Sequence, residues 1–268
     1  MNPDLDTRLA LMRELSAAAR AITVPLYHAG AEATDKNGDD VVAMDPVTEA
    51  DIEAERVMRE LITARCPDDA VTGEELPDVS GTSGYTWTLD PIDGTRAFVA
   101  GVPVWSTLIA VSEGERPTLG LVDHPALSRR YWGVPGRAWR EDDDGTETPL
   151  STRACPELRR AILGCTAPFG MFTPGELAAY RMIGSGVAFQ RLGLDALGHA
   201  LVASGRMDII VEAGMKPCDI AALVPVVEGA GGSVTDWEGR PATSGRVLTV
   251  GDRTLLPELL EYLGRALN

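Results

Sequence analysis

Histidine, lysine and cysteine are all scarce in this 268-residue chain. The three histidines, His28, His124 and His199, lie too far apart in sequence for a histidine-based zinc site. Lysine occurs only as Lys36 and Lys216, so arginine supplies nearly all of the 24 basic residues. That bias reads as a GC-rich genome, although both lysines lie beside candidate site segments. Against 40 acidic residues, the net charge is −16 at pH 7. Such acidity argues against nucleic acid as a partner and disfavours an anionic membrane surface. The four cysteines, Cys66, Cys155, Cys165 and Cys218, form no Cys-x-x-Cys pair and no disulfide-dense pattern, so a reducing compartment is expected. No apolar run approaches the roughly 18 residues of a membrane span. Met1–Asp6 carries no basic region ahead of an apolar stretch, so no signal peptide is read there. A soluble cytoplasmic protein is expected.

What is present is 44% hydrophobic residue, enough for one large domain or two closely joined ones. Leu5, Leu9, Met12, Leu15, Ala19 and Ile22 recur at helical spacing and predict a helix from Leu5 to about Ala33, kinked or interrupted at Pro25. A polar loop is expected over Asp35–Asp40. Thr48-Glu49-Ala50-Asp51 resembles a capping box opening a helix to about Arg65, with Ile52, Val57, Leu61 and Ile62 on its apolar face. From Tyr85 to about Arg140 the pattern is strands and turns, and Glu141–Glu147 reads as a solvated hairpin tip. After Ser151 strands and helices alternate. The expectation is an α+β half over residues 1–150 and an α/β half over 151–268, with the boundary near Pro149–Glu157.

The most informative segment is Trp87-Thr88-Leu89-Asp90-Pro91-Ile92-Asp93-Gly94-Thr95. An apolar strand ends in two carboxylates flanking a proline, and Gly94-Thr95 stand where a helix would begin. Hard oxygen ligands for a metal and backbone N–H groups for a phosphate thus occur within six residues. Pro91 is expected to stop the regular strand and free the carbonyl of Ile92 as a further oxygen ligand. Asp51, Glu74 and Asp219 complete a set of acids of the size that two magnesium ions need. Asp219, in Lys216-Pro217-Cys218-Asp219, also suits plain capping of a helix.

Gly73-Glu74-Glu75, Asp90-Pro91-Ile92-Asp93-Gly94-Thr95, Asp219-Ile220-Ala221-Ala222 and Glu228-Gly229-Ala230-Gly231-Gly232 occur in that order. Together with Asp45-Pro46-Val47-Thr48-Glu49-Ala50-Asp51, they resemble the inositol monophosphatase superfamily over most of the chain. The resemblance implies a five-layered αβαβα sandwich, usually a homodimer, that hydrolyses small phosphate monoesters with Mg2+. Two or three ions per site are implied, with Mn2+ able to substitute and Li+ inhibiting. It also implies that Glu74, Asp90, the Ile92 carbonyl, Asp93 and Asp219 are metal ligands. Glu74 would orient a metal-bound water, Thr95 held by Asp51 would help activate it, and the Gly94 and Thr95 amides would grip the phosphate. Cys218 stands where the family usually has Trp. A nucleophilic role for it is disfavoured, because no histidine lies nearby in sequence.

Within the superfamily the resemblance is to histidinol-phosphate phosphatases. It rests on Asp93–Phe98, Pro103–Ala110, Gly120–Pro125 and Glu212–Pro217. Histidinol phosphate carries an ammonium and an imidazole, so a selective site should offer carboxylates away from the metals. Asp195 and Glu212 are the candidates, with Arg96 a candidate for the phosphate; an exposed helix-start aspartate and a surface arginine are the ordinary alternatives. His124 and Trp105 read as packing residues. The subfamily's Gly-Gly-Asp-Cys-Tyr-like run is here Gly193-Leu194-Asp195-Ala196-Leu197, which leaves room for another small phosphate ester, such as inositol 1-phosphate. A regulatory binding protein on the same fold would predict a decayed acidic set, which is not what stands here. Gly184-Ser185-Gly186 is a poor dinucleotide fingerprint, because Phe189 occupies the third glycine's place.

Overall fold

The buried stripe of the first helix, Leu11, Met12, Leu15 and Ala19, follows the 3.6-residue period and packs it along a sheet. The computed structural model describes residues 3–30, 34–35 and 46–265. The helix spans Pro3–Ala29 and runs through Pro25 without ending there. Val24, Leu26 and Tyr27 pack against Ile92, Phe98 and Trp105, and this burial outweighs the one backbone bond a late proline removes. Of the polar loop expected over Asp35–Asp40, Asp35 instead pairs with Pro46 in a short strand, and residues 36–40 lie outside the described residues, as does Asp45.

The second helix spans Glu49–Arg65, as its capping box predicts. Its core face is Ala50, Ala54, Met58 and Ile62, an i, i+4 row; Ile52 is exposed instead. Small residues sit inward here because the first helix crosses closely over them.

Seven strands from Ala70–Gly73 to Glu147–Pro149 form one sheet in sequence order, parallel only in the first pair. Five strands form a second sheet, in the spatial order Phe189–Leu192, Ile162–Cys165, Ile209–Met215, Gly245–Val250, Ser233–Thr235. The two long N-terminal helices cover one face of the large sheet. Ala196–Ala203, Pro217–Ala221 and Leu223–Gly229 fill the space between the sheets. Pro174–Gly186 and Leu256–Arg265 cover the far face of the small sheet. The layers are therefore αβαβα. Gly184-Ser185-Gly186 ends the helix Pro174–Gly186 rather than joining a strand to a helix, so it has no dinucleotide-binding geometry.

The central helices lie unusually close to the large sheet. A Cβ on Gly133 would stand 2.2 Å from the Pro225 carbonyl oxygen, and one on Gly120 would stand 2.2 Å from that of Ala222. Two buried clamps tie the first helix to the same sheet. Arg20 donates to both oxygens of Asp123 at 2.6 and 2.5 Å, and Arg8 donates to both oxygens of Asp69 at 2.8 and 2.6 Å. The hairpin tip over Glu141–Glu147 is more than a solvated turn. Arg13 pairs with Glu141 and Glu147, and Arg20 reaches Asp143 at 2.6 Å.

Gly133→Ala is expected to lower the unfolding free energy by about 1–3 kcal/mol, the usual cost of overpacking. Gly170→Ala, where nothing lies within 4 Å of the added carbon, is the control and should change little. Urea unfolding of both variants checks this.

Candidate active site

The parallel pairing of Ala70–Gly73 with Tyr85–Asp93 sets Gly73 opposite Leu89, so Glu74 follows the end of its strand beside Asp90. The Tyr85–Asp93 strand does not stop at Pro91. Asp90 pairs with Leu108 and Asp93 with Ser106, so one extra residue bulges between them. Pro91 is tolerated there because a bulge leaves one residue outside the ladder. Thr107 Oγ1 donates to the Pro91 carbonyl at 2.8 Å and fixes the bulge.

The donor atoms of Glu74, Asp90, Cys218 and Asp219 all lie within 4.8 Å of one another. Asp90 is 1% exposed, and its Oδ1 has no hydrogen-bond partner. Burial, together with Glu74, Asp93, Asp219 and Asp51, pushes its carboxyl well above the usual range. Burial with Asp195 and Asp219 does the same to Asp93. Asp93 Oδ2 accepts from the Ala196 amide at 3.0 Å and from Ser106 Oγ at 3.2 Å. Asp219 caps its own helix, accepting the Lys216 N–H at 2.8 Å, and still turns Oδ1 toward the cluster, 3.5 Å from Cys218 Sγ. Capping and site membership thus coexist. Lys216 Nζ lies 2.8 Å from Glu74 Oε1, a positive charge set against the acids. Burial and these same acids raise the Cys218 thiol far above its ordinary value, which fits a protonated side chain rather than a nucleophile.

Glu74, Asp90, Ile92, Asp93, Gly94, Thr95, Arg96, Asp195 and Asp219 line one open cavity of about 310 Å³. Asp51 lies outside that lining. Its Oδ2 accepts both the N–H and the hydroxyl of Thr48, at 2.9 and 2.6 Å, and burial lifts its carboxyl to about 6. Thr95 Oγ1 donates instead to the Ile92 carbonyl at 3.1 Å, so the expected Asp51–Thr95 bond is replaced by two local ones. Gly94 opens the short helix Thr95–Val99 at φ 77°, where a side chain would be strained and would meet Asp195 at 3.1 Å.

Asp195 takes φ 48°, ψ −144°, an uncommon backbone state for a residue with a side chain. That turn aims the Ala196 amide at Asp93 and sets Asp195 against Gly94. Burial raises its carboxyl to about 6, opposed by Arg96. Glu212 is 5% exposed and lines an adjoining cavity of about 90 Å³ with Asp93, Asp195, His199 and Asp219. Its Oε1 accepts the Thr166 N–H and hydroxyl at 2.7 and 2.9 Å.

Sequence reasoning missed Glu55. It is fully buried, pairs with Arg59 at 2.7 Å, and accepts the Glu75 and Leu76 amides at 2.9 and 3.2 Å. It therefore holds the turn that presents Glu74. The i, i+4 spacing to Arg59 is its only local signal, and surface pairs share it.

The description "Inositol monophosphatase family" matches residues 4–266. The chain belongs to the inositol monophosphatase family. It is 38% identical over 97% of its length to the chloroplastic bifunctional phosphatase IMPL2 of Arabidopsis thaliana, covering 76% of that protein. It is 36% identical over 94% of its length to a histidinol-phosphatase of Mycobacterium tuberculosis, covering 97% of it. Among solved structures, an inositol monophosphatase from Zymomonas mobilis superposes with a TM-score of 0.81 at 35% identity, over 98% of this chain and 99% of that one. The five layers are thus those of the inositol monophosphatase fold.

Burial holds the Glu212 carboxyl up at about 7 from an ordinary 4.5, with the Thr166 donors pulling the other way. The folded chain then keeps a proton that the unfolded chain has lost. Stability contributed by this group falls as pH rises from about 4.5 to about 7. Glu212→Gln is expected to reduce that fall, read by urea unfolding of chelator-treated protein across this range.

Proposed function

We propose that the protein is a magnesium-dependent phosphomonoester hydrolase acting on histidinol phosphate. The observation that carries the hydrolase reading is the buried, unpartnered Asp90 Oδ1 among converging acids, beside the Gly94-Thr95-Arg96 turn. A buried carboxylate without a partner is costly, and an oxygen-rich donor set suits a hard divalent ion. Bound ions would supply Lewis-acid activation of water and neutralise charge developing on the phosphoryl oxygens. Glu74, Asp90, Asp93, Asp219 and the Ile92 carbonyl would hold them. Gly94, Thr95 and Arg96 would orient the phosphate, and the Thr95 hydroxyl, fixed on Ile92, would position the attacking water with Glu74. Asp51 would act at a distance: it locks the start of the helix whose Glu55 holds the Glu74 turn.

The substrate reading rests on charge. Asp195 stands at the junction of both cavities and Glu212 lines the inner one. Two acids beyond the phosphate position favour a leaving group that carries a cation, as histidinol does. The sequence relative named as a histidinol-phosphatase fits this reading. A broader monophosphatase, taking inositol 1-phosphate, is the second reading. It is favoured by Ala196 and Leu197 in place of polar and aromatic neighbours around Asp195.

We also propose a cytoplasmic homodimer. No helix among the described residues is long and apolar enough to cross a membrane, and all four cysteines are free. The exposed edge strand Phe189–Leu192 carries exposed Phe189 and Leu192, which a second copy could cover. Sedimentation should give twice the chain mass.

Asp93→Asn should lower kcat/KM at least about a hundredfold, the upper end of what outer-shell partners alone are worth. Chelation should abolish turnover, and added Mg2+ should restore it. Asp195→Asn should cost histidinol phosphate at least about thirtyfold while sparing inositol 1-phosphate. Equal losses on the two substrates would exclude Asp195 as the reader of the cation.

A further inference from the structure

Cys218 is the one sulfur donor in a cluster, among the described residues, whose other members are carboxylates. It is 9% exposed, its Sγ belongs to the same 4.8 Å cluster as Glu74, Asp90 and Asp219, and the opening of the helix Pro217–Ala221 fixes its backbone. The cluster also contains the buried Asp90 Oδ1 without a partner, and Lys216 sets an ammonium against Glu74. The unpartnered Asp90 Oδ1 independently marks a place for a cation, and an ion bound there would displace the Lys216 ammonium from Glu74. Thiolate sulfur selects zinc-class ions, whereas magnesium takes only oxygen.

We propose that Cys218 turns this centre into a thiolate-containing site for zinc-class ions, one that competes with magnesium for Glu74, Asp90 and Asp219. The proposal rests on the metal-centre reading above. Sulfur and three carboxylates make a four-coordinate set, the number zinc prefers, and coordination would release the thiol proton to solvent. A zinc site closed by four protein ligands keeps no open position for water or substrate, so zinc occupancy would silence hydrolysis.

Cd2+ titration of the full chain should produce a sulfur-to-cadmium charge-transfer band in the ultraviolet, and Cys218→Ser should remove it. The difference spectrum isolates Cys218 from Cys66, Cys155 and Cys165. Calorimetry should show Zn2+ affinity falling at least about tenfold in Cys218→Ser, with Mg2+ affinity held within about twofold. The retained Mg2+ binding also shows that the variant is folded, and Cys218→Ala should repeat the result. Equal Zn2+ affinity with an unchanged cadmium band would overturn the proposal and leave the magnesium centre standing. Binding of neither ion by the unaltered protein would instead overturn the metal-centre reading, and this proposal with it.

Discussion

Mutual repulsion among buried carboxylates governs this molecule. Two like charges 4 Å apart cost on the order of 4 kcal/mol at an effective dielectric of about 20. Here Glu74, Asp90 and Asp219 converge within 4.8 Å, with Asp93 and Asp195 just behind. Protons, the Lys216 ammonium and backbone donors relieve part of that cost. A bound cation would relieve it directly, and the rest of the architecture holds the acids where one would have to bind.

That holding is done by parts that never enter the cavity. Glu55 receives the Glu75 and Leu76 amides, and Thr48–Asp51 fixes the start of its helix. Thr107 fixes the Pro91 bulge, and Ser106 reaches Asp93. On the opposite side, glycines at 120 and 133 let the central helices press their backbone onto the sheet. That contact brings Asp219 and Cys218 within reach of Asp90. A side chain at either glycine would push the two halves of the site apart.

Asp195 joins the acidic centre to the adjoining cavity. Its strained turn supplies the Ala196 amide to Asp93 and places its own carboxylate against Gly94. One residue therefore couples the geometry of the acidic centre to the neighbouring cavity. Strain at such a position persists because the surrounding contacts over-determine it.

Asp90-Pro91-Ile92-Asp93-Gly94-Thr95 was legible in the chain because its chemistry is local: two carboxylates, a glycine and a threonine lie within six residues, although the bulge that carries the strand through Pro91 was not. The capping box at Thr48 was legible for the same reason. Ile52 pointing outward and the arginines that close on Glu141–Glu147 were not, because packing partners far along the chain decide them. Nor was Thr95 turning to Ile92 rather than to Asp51. The sequence by itself determined which donors exist and which family they belong to. Only the tertiary structure decided that Glu55 would hold Glu74, that Asp195 would lean on Gly94, and that Cys218 would stand among the acids. Those placements depend on how two sheets and the helices between them close, a matter of long-range burial that no short window of residues encodes.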